Sequence, residues 1–137
     1  MPNVVVEYTD NIKAEADIPG LLKLIAKTVV EAGQGAFPLA GIRVRAIELH
    51  DYVMGDDDPD YAFVSITVRV AKGRSEEDKR RTFGAVWEAV KAHLAPVDAK
   101  RILAINLDVE EFGERLAYKQ NRLHDKFGTK PVAKLAS

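Results

Sequence analysis

The chain has 137 residues, and 20 Lys and Arg balance 21 Asp and Glu, so a net charge of −1 gives no reason to expect a nucleic-acid or anionic-membrane partner. It contains no cysteine, which excludes disulfides, thiol nucleophiles and thiolate metal sites. No apolar stretch approaches the ~20 residues that span a bilayer, and no signal-peptide pattern opens the chain, so we expect a cytoplasmic protein.

The first part of the chain predicts a strand followed by a helix. Residues 2–8 are rich in β-branched side chains, which are typical of strands. Asp17 is placed to cap a helix whose first turn contains Pro19, where the missing N–H costs nothing. Apolar residues then recur at helical spacing until Gly33, where we expect the helix to end.

A second strand is predicted over residues 42–49. Its apolar side chains alternate with Arg43 and Arg45, which therefore lie on the opposite face. The acidic loop 55–60 follows. It lacks the ligand spacing and the terminal Glu of a calcium-binding EF-hand, so we interpret it as a solvated turn between two halves of the chain.

The second half repeats the pattern. Residues 61–70 alternate like a strand, and Ser75 is a typical N-cap for a helix with acidic residues in its first turn. An apolar stripe runs along that helix, and Pro96 is expected to stop it. Residues 102–109 form the last predicted strand.

The chain therefore predicts an α/β (α+β) fold made of two consecutive βαβ units, over residues 2–54 and 61–112. Each crossover makes its two strands parallel, and both helices would cover one face of a four-stranded sheet. Alternating apolar residues on the other face would need a partner, which predicts self-association. We expect residues 1–127 to form a single domain and residues 128–137 to be a flexible tail.

Pro2 is the first candidate for chemistry. Removal of Met1 would leave a secondary amine, and an α-amino group has a pKa near ~7.7–8.0, which burial or nearby cations lower. Such a pKa suits proton transfer at neutral pH. The alternative is that a small second residue merely permits processing of Met1.

Arginines are the second candidates. Arg74 lies beside Ser75 at a predicted helix N-terminus, which makes an anion site plausible, and Arg43 lies on the second strand. Both are otherwise ordinary surface cations, and that interpretation is stronger for Arg45 and Arg69. The three histidines are scattered without ligand spacing, so no metal site is expected.

These features together resemble the tautomerase superfamily. Over residues 2–127 the chain is similar to its 5-carboxymethyl-2-hydroxymuconate Δ-isomerase family. The segments that carry the similarity are Pro2, Phe37-Pro-Leu-Ala-Gly-Ile-Arg43, Asp60-Tyr-Ala-Phe-Val64, Gly73-Arg-Ser75 and Lys119-Gln-Asn121.

The resemblance implies a homotrimer whose sheets face a central interior, and a cofactor-independent isomerase of aromatic-compound catabolism, including homoprotocatechuate degradation. Pro2 would be the general base that moves a proton along a conjugated 2-hydroxymuconate-type dienol. Arg43 and Arg74, from different subunits, would hold substrate carboxylates. The substrate contacts expected beside them are Arg45, Met54 and Tyr52.

Two alternatives remain open at this stage. One is another activity of the same fold, such as dehalogenation or decarboxylation. The other is a non-catalytic trimeric module that binds an acidic ligand. Since the second repeat begins inside the chain, the resemblance implies one base per subunit and three sites per trimer.

Overall fold

The computed structural model describes residues 2–127. The predicted removal of Met1 and the predicted flexible tail at 128–137 concern residues outside that range. Among residues 2–127, no helix combines the length and the apolar composition that crossing a membrane requires.

The first βαβ unit consists of β1 (Asn3–Thr9), α1 (Ile18–Gly33) and β2 (Arg43–Leu49). The predicted cap is confirmed, because the Asp17 carboxylate accepts a hydrogen bond from the Gly20 N–H at 3.2 Å. A single 3₁₀ turn follows β1, and another precedes β2.

The second unit consists of β3 (Tyr61–Ala71), α2 (Glu76–Asp98) and β4 (Ile102–Phe112). Ser75 caps α2 as predicted, since its hydroxyl accepts a hydrogen bond from the Asp78 N–H at 3.0 Å. A short helix, α3 (Leu123–Phe127), follows and is anchored where Asn121 Nδ2 donates to the Ala40 carbonyl at 2.8 Å.

The prediction that Pro96 stops the second helix is wrong, because α2 continues to Asp98. A proline removes one hydrogen bond, here the one that would reach the carbonyl of Ala92. Ala92 is exposed, so water can solvate that carbonyl. The extra turn also buries Val97, whose carbonyl accepts from the N–H of Arg101 at 3.0 Å. Burial of Val97 and these last hydrogen bonds favour the continued helix.

The four strands form one sheet in the order β2-β1-β3-β4. β1 is parallel to β2 and antiparallel to β3, and β3 is parallel to β4. Both long helices pack on the same face, which confirms the predicted architecture. Fully buried apolar side chains fill the layer between sheet and helices, among them Val4, Val6, Leu21, Ile25, Val29, Ile66, Val68, Val86, Val90 and Leu94.

The uncovered face of the sheet is more polar than the sequence predicted. Strand register places Arg43, Asn3 and Arg69 side by side in one row across this face. Its exposed apolar residues lie farther along the strands, such as Ile47, which is 45% exposed, and Ile102, which is 62% exposed. The open face therefore has a cationic end, where β1 begins, and a more apolar end.

Candidate active site

Pro2 is buried directly ahead of β1, one of the two central strands. Its carbonyl oxygen accepts a hydrogen bond from the Arg43 N–H at 3.1 Å, which fixes Pro2 against the start of β2. Because β3 runs antiparallel to β1, the end of β3 and the Gly73–Ser75 turn lie at this same end of the sheet. Pro2 and the two principal candidate arginines are therefore at one end of the molecule.

Arg43 and Arg45 extend from the open face of β2, as the alternation predicted. Nη1 of Arg45 donates to Oδ1 of Asn3 at 2.5 Å. This contact crosses from β2 to the residue that follows Pro2. Arg45 is thus held beside the first residue of β1, with its guanidinium already engaged by an amide oxygen.

Arg74 lies on the helix side of the sheet rather than on its open face. Its Nε donates to the carbonyl of Ala36 at 3.2 Å, and its guanidinium carbon lies 5.2 Å from the centre of the Phe37 ring. Phe37 itself is buried in the core. The side chain of Arg74 is therefore partly buried and oriented by a hydrogen bond and an aromatic ring.

Tyr52 and Met54 lie at the opposite end of the sheet from Pro2, because they follow β2, which runs parallel to β1. The Tyr52 hydroxyl donates to Asp10 Oδ1 at 2.9 Å, and its ring meets Phe63 edge-on at 6.1 Å. Within one chain, neither residue reaches Pro2. The structure brings Arg43, Arg45 and Arg74 to the Pro2 end and leaves Tyr52 and Met54 away from it.

A small cavity of about 50 Å³ lies at the cationic end of the open face. Arg43 lines it, together with side chains that the sequence analysis did not assign to the site: Asn3, Arg69, Phe112, Arg115 and Lys119. Arg69 is indistinguishable from a surface cation until the β1–β3 register is known. Arg115 and Lys119 come after β4, and that strand is three residues longer than predicted.

A groove of about 950 Å³ runs between α2 and the edge strand β4. It is lined by Phe83, Trp87 and Leu107 among others, and it includes neither Pro2 nor the candidate arginines. Among residues 2–127, no group of three or more His, Cys, Asp or Glu side chains is arranged to hold a metal ion.

Comparison with known proteins identifies the family. The sequence profile described as 5-carboxymethyl-2-hydroxymuconate isomerase matches residues 2–127. The chain belongs to the 5-carboxymethyl-2-hydroxymuconate isomerase family. This confirms the similarity inferred from its motifs, and it places the chain in the tautomerase superfamily.

Individual members of the isomerase family are similar to this chain over most of their length. The 5-carboxymethyl-2-hydroxymuconate Delta-isomerase of Escherichia coli is 39% identical over 127 residues, which are 93% of this chain and 99% of that protein. A crystal structure of a 5-carboxymethyl-2-hydroxymuconate isomerase from Deinococcus radiodurans R1 superposes with a TM-score of 0.85 at 35% identity, covering 92% of this chain and 93% of that one. A second Δ-isomerase structure also has a TM-score of 0.85, at 26% identity with 93% of each chain covered.

Proposed function

We propose that Pro2, freed by removal of Met1, is the general base with which this isomerase-family member moves a proton along 5-carboxymethyl-2-hydroxymuconate or a closely similar carboxylated dienol. The observation that carries the proposal is the position of Pro2. It is buried at the head of a central strand, its carbonyl accepts a hydrogen bond from the Arg43 N–H, and it lies at the same end of the sheet as Arg45 and Arg74.

These surroundings favour the neutral amine. Burial disfavours the protonated form, and so do nearby guanidinium groups, and both effects lower the pKa of an amine from its usual ~7.7–8.0. A neutral secondary amine can take a proton from the dienol hydroxyl or from an allylic carbon. The same ammonium then returns the proton to another carbon of the conjugated system, so the reaction consumes no oxidant, reductant or other reactant.

Arginine side chains supply the electrostatic part of this mechanism. Negative charge spreads toward the carbonyl end of the substrate as the proton leaves, and a fixed guanidinium stabilises it. We assign Arg43 and Arg74 to the substrate carboxylates, with Arg45 beside them. The Arg74 guanidinium is already oriented by Ala36 and Phe37, so little reorganisation is needed when substrate binds.

We further propose that the chain works as a homotrimer. Both β2 and β4 are edge strands, and apolar side chains such as Ile47 remain on the uncovered face. Tyr52 and Met54 would then contact substrate only at the Pro2 site of a neighbouring subunit. We place the reaction in the cytoplasm, within the catabolism of aromatic compounds.

The proposal is tested at the N-terminus. Mass spectrometry of protein from its native host should show a chain that begins at Pro2. Ultraviolet absorbance of a 2-hydroxymuconate substrate should then show that Pro2→Ala lowers the rate by about 10²- to 10⁴-fold, the usual contribution of a general base. Pro59→Ala, in the exposed loop 55–60, is the matched control and should keep full activity.

Retention of Met1 together with full activity would contradict the proposal, as would equal rates for Pro2→Ala and the wild type. A wild-type protein that binds carboxylic acids without isomerising them would instead identify a non-catalytic binding module.

A further inference from the structure

The cationic end of the open face gathers several positive charges around one small space. The register of the sheet puts Asn3 between Arg43 and Arg69 in a single row. Arg115 and Lys119, from the segment after β4, line the same cavity. These residues come from four separate parts of the chain, so only the folded sheet brings them together.

Among residues 2–127, little negative charge balances three of these cations, Arg69, Arg115 and Lys119. The closest carboxylate oxygen to Arg69 belongs to Glu110 at 3.9 Å, the limit of an ion pair, and both side chains are about half exposed or more. Within residues 2–127, Arg115 and Lys119 have no ion-pair partner. Like charges held close together repel, and the repulsion is relieved when an anion binds between them.

An aromatic ring orients two of the cations. The guanidinium carbon of Arg115 lies 3.8 Å from the centre of the Phe112 ring, and that of Arg69 lies 5.7 Å from it. Contacts of this kind restrict a guanidinium without neutralising it, because the charge remains available to a ligand. Phe112 thus holds Arg69 and Arg115 beside the cavity.

We propose that Arg69, Arg115 and Lys119 form a subsite, beside Arg43, for one carboxylate group of the substrate, the one on the carboxymethyl arm. The inference rests on the proposed function. The cavity of about 50 Å³ is small, so it suits a single carboxylate better than a larger group. One of the residues that line this cavity is Asn3, which directly follows Pro2 in the chain.

A third carboxylate group needs further cations, and this subsite supplies them. A 2-hydroxymuconate has two carboxylates, which Arg43 and Arg74 can serve, whereas the 5-carboxymethyl compound has one more. Arg74 does not line the cavity, so the cations of the cavity would act on a different carboxylate from the one assigned to Arg74. The additional cations would therefore determine preference for a triacid over a diacid.

The kinetic test compares 5-carboxymethyl-2-hydroxymuconate with 2-hydroxymuconate in the full-length protein. For the double variant Arg115→Gln and Lys119→Gln, we expect the ratio of kcat/KM for the triacid to that for the diacid to fall about 10- to 100-fold, mainly through KM. The control is Arg122→Gln, which removes a charge from the same segment away from the cavity and should leave the ratio unchanged. An unchanged ratio in the double variant would overturn the proposal.

A binding measurement separates this inference from the proposed function. Isothermal titration of Pro2→Ala protein with tricarballylate, a triacid, and with glutarate, a diacid, needs no turnover. We expect tricarballylate to bind more tightly, and the double variant to lose that advantage. If the wild type fails to isomerise either substrate, the base assignment fails while this titration still decides the subsite; equal affinities for the two acids would refute it.

Discussion

The hydroxyl of Tyr52 donates a hydrogen bond to Oδ1 of Asp10 at 2.9 Å, which joins the segment after β2 to the end of β1. His50 Nδ1 lies 3.0 Å from the other oxygen of the same carboxylate. A hydrogen bond with His50 has the largest effect on the pKa of Asp10. Together with the hydrogen bond from Tyr52, it lowers that pKa below its ordinary range. Burial, which has the larger effect, and the hydrogen bond to Asp10 raise the pKa of Tyr52 above its ordinary 10.0.

This contact predicts a change in tyrosine titration. Asp10→Asn keeps a hydrogen-bond acceptor but removes the charge, so the pKa of Tyr52 should fall while staying above its ordinary value, since burial remains. The pKa of Tyr52 is measured from absorbance at 295 nm as a function of pH. The titration of each protein is compared with that of its Tyr52→Phe derivative, and the difference belongs to Tyr52. Asp51→Asn, in an exposed neighbouring position, is the control. Identical Tyr52 titrations in the wild type and in Asp10→Asn would show that the carboxylate has no influence.

The sign of the effect on stability follows from the raised pKa. A group that holds its proton more tightly in the folded state stabilises the fold below its unfolded pKa, here ~10, and this stabilisation is lost as the pH rises through the folded value. For Asp10 the direction is opposite. Its lowered pKa contributes stability above ~3.9, which is lost as the pH falls.

Arg74 should affect binding of acidic substrates. We expect Arg74→Ala to raise KM for a diacid about 10- to 100-fold, the cost of one charge-assisted hydrogen bond, and Arg74→Lys to recover only part of it, because lysine lacks the planar group that lies over Phe37. Steady-state kinetics on a diacid and a monocarboxylate provide the measurement. The exposed Arg80, replaced by Ala, is the control. Equal losses on both substrates would argue against a carboxylate contact.

Ile47 tests the proposed trimer. It is 45% exposed on the uncovered face and pairs with Glu7 across β1, so Ile47→Glu adds a like charge where a subunit contact is proposed. Light scattering should show a trimer for the wild type and smaller species for the variant, with an unchanged circular dichroism spectrum since Ile47 lies outside the core. Lys23→Glu, on the solvent side of α1, should remain trimeric. A variant that stays trimeric would place the interface elsewhere.

Local signals in the sequence were sufficient for most of the fold. Asp17 and Ser75 mark helix starts because capping depends on the residue itself and on the N–H three positions later. The prediction that Pro96 ends the helix was wrong because the effect of a proline depends on tertiary context. Ala92, whose carbonyl loses a hydrogen bond, is an exposed residue, and the burial of Val97 favours the continued helix.

The candidate site was predictable only in part, because its members meet through long-range pairing. Pro2, Arg43 and Arg74 carry recognisable motifs. The proximity of Arg69 to Arg43 depends on the register of two strand pairs, which no local pattern specifies. The separation of Tyr52 from Pro2 likewise follows from strand direction.

Both ends of the described chain lie where β1 and β2 begin, since Asn121 binds the Ala40 carbonyl and Pro2 binds the Arg43 N–H. The exposed loop 55–60 lies at the other end. A circular permutant that joins residue 127 to residue 3 and starts at Pro59 would carry its terminal proline amine to the far end of the sheet, while every arginine stayed in place. The position of the chain's first residue therefore determines which end of this sheet can hold a reactive amine. The sequence of either repeat does not.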